Sequence, residues 1–292
     1  MKKTAVWCII FYMYKISEVS SVLIKNPTSE KLDIIILAGQ SNMEGFGCGP
    51  ALVEWIPNEK ILMMNGEFST HVEKYLVVEP THKYSVGVAD ERYSKDYGAK
   101  TGVFALEFAR RYAESRLAPD RKLLLVQCAV GGTGFVGGHW GESDILYKRM
   151  LEMVDAALLM NPENRIVGML WHQGEHDAYE QRGADSEQIF SAYEKNISTL
   201  ISGARNRYGK DMPIVAAGFT HGWLDEYPVE CNAVLCAMKK VFSEFGRCIL
   251  VENTADLKSN ADVIGGEDTV HFSKIACYEL GVRYFDAYEQ II

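Results

Sequence analysis

Three residues in this 292-residue sequence have the chemical types that nucleophilic catalysis requires. Ser41 follows an apolar run and Gly39, where a strand-to-helix turn can expose its hydroxyl and aim its own backbone N–H at an oxyanion. Asp268 precedes His271 by three residues, so a short turn can bring the carboxylate to Nδ1 and leave Nε2 for the serine proton. Ser41 alone could be only a helix cap. Together the three residues favour a serine hydrolase.

Two further segments could bind the negative charge that develops during acyl transfer. Gly132 lies in a glycine-rich turn and could offer its backbone N–H, and the amide of Gln173 could offer another donor. With the N–H of Ser41 they would form a three-point oxyanion hole. The alternative is that the glycines only turn the chain and that Gln173 only caps a strand end.

The glycine-rich turn also matches a dinucleotide-binding pattern, G-x-G-x-x-G, over residues 132–137. A dinucleotide site should open its helix at once. Here His139, Trp140 and Gly141 intervene before a helix can begin. We therefore disfavour a dinucleotide site.

A second motif, His172-Gln173-Gly174-Glu175-His176, matches the H-x-x-E-H pattern of some zinc peptidases. Zinc binding of that type needs both histidines on one helix face. The motif begins at a predicted strand end, and Gly174 disfavours a helix through it. A zinc-dependent hydrolase built on His172, Glu175 and His176 remains the runner-up hypothesis.

The elements that must position these residues alternate between strands and helices. Continuous apolar runs predict parallel strands covered on both faces, at residues 33–38, 122–129, 165–171, 213–219 and 248–251. Segments with helical spacing lie between them, at residues 101–116, 143–160, 185–208, 229–245 and 273–288. This alternation predicts an α/β domain whose strands deliver the polar turns to one rim. Residues 45–98 break this alternation and are interpreted either as an insertion over the sheet edge that helps to shape a pocket or as a plain surface excursion over that edge.

Composition narrows the class of protein. A formal net charge of -9 argues against a nucleic-acid binder. The seven cysteines are an odd number, which makes buried reduced thiols more probable than a disulfide framework. No run is apolar for the 18 or so residues that a membrane span needs.

The N-terminal segment, residues 1–32, is expected to be an extension or a degenerate signal peptide, followed by one domain over residues 33–292. Lys2 and Lys3 precede an apolar run from Ala5 to Tyr14, as in a secretory signal. No clean cleavage site follows. A signal peptide would place the protein outside the cytoplasm or in a periplasm, and an extension would leave it in the cytoplasm.

Four ordered blocks of sequence together resemble the SGNH hydrolase superfamily, in its branch of sialic-acid-specific acetylesterases and acetylxylan esterases, carbohydrate esterase family six. The G-Q-S-N-M pattern and every fixed position of W-x-Q-G-E-x-D are matched. The blocks are Gly39-Gln40-Ser41-Asn42-Met43, Gly131-Gly132-Thr133, Trp171-His172-Gln173-Gly174-Glu175-His176-Asp177 and Asp268-Thr269-Val270-His271-Phe272-Ser273.

The resemblance implies a flavodoxin-like three-layer α/β/α sandwich with a mostly parallel sheet and neither metal nor cofactor. It makes Ser41 the nucleophile, His271 the base and Asp268 the acid that orients His271. It assigns the oxyanion hole to Ser41, Gly132 and Gln173. Residues implied to support the site from behind are Gln40, Asn42, Gly131, Glu175 and Asp177.

The expected function is therefore that of a serine esterase that removes O-acetyl groups from a carbohydrate. Acetylated xylan, sialic acid and related glycans all stay open as substrates. An acidic sugar would need local basic residues such as Lys83, Arg92 or Arg149, and Trp55, Trp140 or Trp223 could stack on sugar rings. A non-catalytic carbohydrate-binding protein is the alternative from a different class.

Overall fold

The computed structural model describes residues 29–73, 75–95 and 97–292, with the backbone alone for residues 67–83 other than 74. The predicted signal-like run, most of the predicted extension and Cys8 lie outside the described residues, as does the side chain of Lys83. The division of the chain at residue 32 stays a prediction.

The strands of the described chain are β1 (Lys31–Gly39), β2 (Ile61–Glu73), β3 (Tyr75–Val88), β4 (Arg92–Ser94), β5 (Ala99–Thr101), β6 (Arg121–Gln127), β7 (Arg165–His172), β8 (Ile214–Ala217) and β9 (Cys248–Val251). Seven of them form one sheet in the order β3-β2-β6-β1-β7-β8-β9, while β4 and β5 form a separate pair. All neighbours in the large sheet are parallel except β2 and β3.

The described helices are α1 (Ser41–Glu44), α2 (Phe104–Ser115), α3 (Ile145–Leu159), α4 (Glu175–Glu180), α5 (Ser186–Tyr208), α6 (His221–Glu226), α7 (Pro228–Glu244), α8 (Asn260–Ile264) and α9 (Lys274–Glu289). None of these helices combines the length and the apolar character needed to cross a bilayer.

Helices cover both faces of the sheet, which makes three layers. Along β1, Ile34 and Ile36 join a buried cluster with α3, α5 and α7, whereas Ile35 and Leu37 join a second buried cluster with α2 and α9. Successive side chains of a strand point to opposite faces. A strand covered on both faces must therefore be apolar at every position, which explains the uninterrupted run in the sequence.

The order of the strands confirms the predicted flavodoxin-like fold. Taken in chain order, β1, β6, β7, β8 and β9 lie side by side as 2-1-3-4-5. The chain builds outward from β1 to β6 and then crosses back to β7 on the other side of β1. Ligands of such sheets bind at the carboxyl ends of the strands where this direction reverses.

The segment at residues 45–98 extends the sheet as well as lying at its edge. Its strand β2 pairs in parallel with β6, from Ile61 opposite Leu123, and β3 returns antiparallel as the new edge strand. Ile61 and Met63 are buried in the core, so β2 supplies the apolar side chains that a sheet position requires. The interpretation as a pure excursion over the edge was thus incomplete.

The described cysteines are all free thiols, as the odd count favours. Four are buried, one is half-buried and one is exposed: Cys48, Cys128, Cys231 and Cys277, then Cys248, then Cys236.

Candidate active site

The turn after β1 sets the position of Ser41. Gly39 has φ +131°, and a Cβ built on it would lie 2.0 Å from the carbonyl oxygen of His172. The N–H of Gln40 donates to that same oxygen at 2.9 Å, so the ends of β1 and β7 touch. Only glycine fits such a contact at such a φ. Helix α1 begins at Ser41, as a strand-to-helix turn requires.

His271 and Asp268 form the expected pair. Nδ1 of His271 lies 2.8 and 3.0 Å from the two carboxylate oxygens of Asp268, and the backbone N–H of His271 donates to the same carboxylate at 3.2 Å. Asn260 and Tyr97 also donate to Asp268, at 2.8 and 3.1 Å. Burial raises the pKa of Asp268, but the hydrogen bonds and charge of His271 and the amide of Asn260 outweigh burial, so its pKa is lowered. An ionised Asp268 holds the proton on Nδ1 and leaves Nε2 as a base.

Ser41 and His271 line one cavity of about 590 Å³ at the carboxyl edge of the sheet. Residues from five of the predicted turns surround it: Gln40, Ser41, Glu44, Phe46, Arg92, Val130, Gly131, Gly132, Glu175, His176, Tyr179, Trp223, Val270 and His271. Asn42, Gln173, Asp177 and Asp268 are not among these lining residues.

The two glycines of the predicted oxyanion segment differ in their surroundings. The N–H of Gly131 donates to Oε2 of Glu44 at 2.7 Å and is therefore already used. Gly132 has φ +68°, and a Cβ built on it would meet no described atom within 4 Å. Both glycines line the cavity, and Gly131 is the one whose N–H is bound to Glu44, so Gly132 stays the predicted oxyanion donor of the two.

Gln173 lies behind the cavity wall and is completely buried. Its amide nitrogen is 2.5 Å from Oδ2 of Asp177, 3.3 Å from the carbonyl oxygen of Thr133 and 3.4 Å from Oε1 of Gln40. The hydroxyl of Tyr193 donates to the backbone carbonyl of Gln173 at 2.9 Å. One amide hydrogen is thus firmly bound, while the other faces two acceptors at the long end of the hydrogen-bond range.

Asp177 ties the glycine-rich turn to α4. Its two oxygens accept the backbone N–H groups of Phe135 and Val136 at 3.1 and 3.0 Å. Burial outweighs these bonds and raises the pKa of Asp177 to about 6. The turn they hold is a loop, and α3 does not begin before Ile145. The G-x-G-x-x-G match at residues 132–137 is therefore not followed at once by a helix, as a dinucleotide-binding turn would be.

Asn42 connects three turns of the site. Its amide nitrogen donates to Oε1 of Glu175 at 2.7 Å and to the carbonyl oxygen of Val270 at 3.0 Å. Its amide oxygen accepts the N–H of Phe272 at 3.1 Å. Because Val270 and Phe272 flank His271, Asn42 fixes the histidine turn relative to the Ser41 turn.

The H-x-x-E-H motif does not form a helix face. His172 ends β7, whereas Glu175 begins α4. The buried His172 ring has Nδ1 2.9 Å from the hydroxyl of Tyr284, and its Nε2 lies 3.2 Å from Oε1 of Glu175 without the geometry of a hydrogen bond. Among the residues that the structure describes, no group of three or more His, Cys, Asp or Glu side chains is arranged to hold a metal ion.

Glu175 is a completely buried carboxylate beside that imidazole. Burial raises the pKa of Glu175, but His172 and the amide of Asn42 outweigh burial and its pKa is lowered. The ionised Glu175 accepts the hydrogen bond from the amide of Asn42 and so fixes the residue that follows Ser41.

Three cavity residues escaped the motif analysis or were named for another reason. Glu44 and Phe46 follow Ser41 closely in the chain, and the helical i, i+3 spacing of Ser41 and Glu44 is the one signal that could have found Glu44. Arg92, named as a possible partner of an acidic sugar, does line the cavity. Its guanidinium lies 3.0 Å from Glu44 and 4.3 Å above the ring of Phe46. Arg149 is instead buried away from this cavity, above the ring of Tyr84 at 5.9 Å.

The arrangement has the parts that acyl transfer needs. Ser41 and His271 share a cavity, the carboxylate of Asp268 holds Nδ1 of that histidine, and Gly132 of the glycine-rich turn lines the same space. These are the requirements for a nucleophile, a general base and a charge-stabilising site.

A family model described as "Carbohydrate esterase, sialic acid-specific acetylesterase" matches residues 31–290. A protein of Escherichia coli (strain K12), named a probable 9-O-acetyl-N-acetylneuraminic acid deacetylase, is 27% identical over 151 residues, 44% of this chain. The matched stretch spans 45% of that relative, less than half of its length.

A probable carbohydrate esterase of Arabidopsis thaliana is 28% identical over 204 residues, 65% of this chain and 69% of the relative. Among solved structures, NanS superposes with a TM-score of 0.66 at 20% identity, covering 91% of this chain and 98% of NanS. At that identity the superposition shows a shared fold.

Proposed function

The chain belongs to the carbohydrate esterase family of sialic acid-specific acetylesterases, and we propose that it removes O-acetyl groups from a carbohydrate through an acetyl-enzyme on Ser41. The family makes it a carboxylic ester hydrolase. The observation that carries the serine mechanism is the Asp268–His271 pair, joined at 2.8 Å, in the same cavity as Ser41.

In the proposed reaction the Ser41 hydroxyl attacks the acetyl carbonyl while Nε2 of His271 takes its proton. The tetrahedral intermediate then expels the sugar alkoxide, which receives that proton from His271. A water molecule, deprotonated by the same nitrogen, attacks the acetyl-enzyme, and the second tetrahedral intermediate expels the Ser41 alkoxide, which takes the proton back from His271 as acetate is released. Asp268 stays ionised throughout and stabilises the imidazolium that forms twice in each cycle.

The proposed oxyanion site uses the N–H groups of Ser41 and Gly132. Gly131 serves instead as the point where Glu44 holds the turn at 2.7 Å. The second amide hydrogen of Gln173 is the third proposed donor, because its present acceptors lie at 3.3 and 3.4 Å. Exchanging these long contacts for a charged oxygen would strengthen the bond as the charge develops.

O-acetylated sialic acid is the substrate that we propose to test first. The family description and the printed name of the Escherichia coli relative both point to it. Acetylated xylan is the second substrate to be tested. Acetate release from a panel of O-acetylated sialosides, acetylated xylan oligosaccharides and acetylated neutral sugars identifies the substrate, and release from none of them would contradict the proposed activity.

Ser41→Ala tests the mechanism. Loss of a serine nucleophile lowers kcat by about 10⁴-fold or more in enzymes of this type, so acetate release should fall by that order. Circular dichroism should show an unchanged fold, because Ser41 is a small side chain at a helix start. Ser115→Ala, at the exposed end of α2, is the matched control and should behave as the wild type.

A chelator separates the serine mechanism from the zinc alternative. Acetate release should be indifferent to it if Ser41 is the nucleophile. Full activity of Ser41→Ala together with loss of activity in the chelator would overturn the serine mechanism and favour a metal-dependent one.

A further inference from the structure

Three aromatic rings form a cluster at one rim of the candidate active site. Trp223 and Tyr227 have ring centroids 4.6 Å apart, and the ring of Tyr179 lies 6.1 Å from Trp223 and 5.7 Å from Tyr227. Tyr179 belongs to α4, Trp223 to α6, and Tyr227 lies between α6 and α7. We call Tyr179, Trp223 and Tyr227 the aromatic wall.

The aromatic wall faces the cavity and does not serve only as core. Tyr179 and Trp223 line the cavity, and Tyr179 is 37% exposed. The ring of Trp223 is partly exposed, whereas its indole nitrogen is buried and has no hydrogen-bond partner among the described residues. By contrast Trp140 and Trp171 are completely buried and pack against one another edge to face.

Contacts of α6, the helix that carries Trp223, place it against the turn that carries His271. The hydroxyl of Thr220, which caps α6, donates to the carbonyl oxygen of Thr269, two residues before His271. The hydroxyl of Thr269 donates in turn to Glu226 at the other end of α6. A Cβ built on Gly222 would lie 2.9 Å from the Cβ of Thr269, so the helix and the histidine turn are in close contact.

This position matters because His271 protonates the departing alcohol in the proposed mechanism. The oxygen that leaves must lie next to Nε2, and the sugar ring attached to it must lie on the His271 side of the cavity. The acetyl carbonyl must face the opposite side, where Gly132 offers its N–H. The aromatic wall is therefore on the side where the sugar has to be.

We propose that the aromatic wall is the subsite for the sugar ring of the leaving alcohol. A pyranose has a face of C–H groups that packs well on an aromatic ring, and amphipathic rings with a polar tip suit such sites. Arg182 holds Tyr179 in place, with its guanidinium 3.9 Å above the ring and a hydrogen bond to the Tyr179 carbonyl. This inference rests on the proposed function.

The test compares a sugar ester with an ester too small to reach the aromatic wall. An O-acetylated sialoside and ethyl acetate are assayed with the wild type, Trp223→Ala and Trp223→Phe. Trp223→Ala should lower the ratio of kcat/KM for the sialoside to kcat/KM for ethyl acetate by about three- to tenfold, chiefly through KM, since one stacked ring contributes a factor of that order. Trp223→Phe keeps a ring without the N–H and should fall between the two.

Trp55→Phe is the control, because Trp55 lies in a separate groove with its indole N–H donating to Ala89. Its ratio should match the wild type. Tyr179→Ala is the second variant if Trp223→Ala does not fold, and it should also lower the ratio. An equal loss for both esters in Trp223→Ala would show a structural role and overturn the inference while leaving the proposed function intact. A wild type that releases acetate from neither ester would contradict the proposed function itself.

Discussion

Gln173 has a primary amide whose two hydrogens have different partners. Asp177 takes one at 2.5 Å, and that carboxylate also accepts two backbone N–H groups from the glycine-rich turn. The other hydrogen faces Thr133 and Gln40 at more than 3.2 Å. A side chain held so firmly at one hydrogen is preorganised, and preorganised donors are the ones that stabilise a developing charge.

Gln173→Ala should therefore lower kcat by about 10²–10³-fold, the usual cost of losing one oxyanion donor. KM should change little, because the donor strengthens only as the charge develops. Steady-state kinetics with a small acetate ester measure both constants. Gln290→Ala, an exposed glutamine at the end of α9, is the control. A loss below about threefold, far under that expected range, would leave Gln173 with a supporting role only.

The contacts at the site that spacing alone predicted are those between residues close in the chain. The Asp268–His271 pair spans three residues, and a short turn suffices to join them. The partners of Asn42 are more than 130 residues away, so no spacing rule could assign them. The bond that occupies the N–H of Gly131 comes from Glu44, 87 positions away, and no spacing rule predicts it either.

At the level of elements, α1 is a four-residue helix that braces the oxyanion turn. Glu44 at its end accepts the N–H of Gly131 with one oxygen and pairs with Arg92 through the other. Arg92 lies over Phe46, and Phe46 stacks on His271 with ring centroids 5.0 Å apart. Burial raises the pKa of Glu44 despite Arg92 and the Gly131 N–H. Helix α1 and Phe46, two residues after it, thus connect Ser41, the oxyanion turn and His271 through direct contacts.

Glu44→Ala should lower kcat by about 10–10²-fold, because a displacement of roughly 1 Å in a catalytic group costs that much. Glu44→Gln keeps an acceptor for Gly131 and should lose less. Both variants are assayed for kcat and for thermal unfolding, with Glu114→Ala on the exposed face of α2 as the control. Equal losses in the Ala and Gln variants would show that the charge of Glu44, and not its hold on Gly131, matters.

The sequence predicted the strands and helices that bury a continuous core, but it did not predict the β2–β3 hairpin at the sheet edge. The strand predicted at 33–38 is β1 at Lys31–Gly39, and the helix predicted at 273–288 is α9 at Lys274–Glu289. The strands predicted at 122–129 and 213–219 end earlier, as β6 at Gln127 and β8 at Ala217, because the apolar residues that follow belong to the turns at the carboxyl edge of the sheet. The β2–β3 hairpin depends on pairing with β6, a contact between distant segments that local propensity does not encode.

In the whole molecule, stability and chemistry lie at opposite ends of the sheet. Asp33 near the start of β1 is completely buried and accepts from Tyr112 at 2.8 Å, Arg121 at 2.6 Å and Arg165 at 2.7 Å. Ser41 follows the other end of the same strand. Burial raises the pKa of Asp33, but the hydrogen bonds of Arg165, Tyr112 and Arg121 outweigh burial and lower it.

Asp33→Asn should destabilise the fold by about 3–5 kcal/mol at pH 7, because it leaves the largely buried Arg121 without its counter-charge. The kcat of the folded variant should equal that of the wild type, since Asp33 lies far along β1 from Ser41. Urea denaturation gives the free energy of unfolding. Asp256→Asn removes an exposed ion pair with Arg283 and should cost less than about 1 kcal/mol.

The pH dependence of that difference follows from the lowered pKa of Asp33. A carboxyl with a lowered pKa in the folded state contributes its stability above its unfolded pKa and loses it as the pH falls through the folded value. The gap in unfolding free energy between wild type and Asp33→Asn should therefore be full at pH 7 and shrink below about pH 4, near the ordinary pKa of aspartate. A gap that stays constant down to pH 2 would mean that Asp33 acts by packing and hydrogen bonding, without a contribution from its charge.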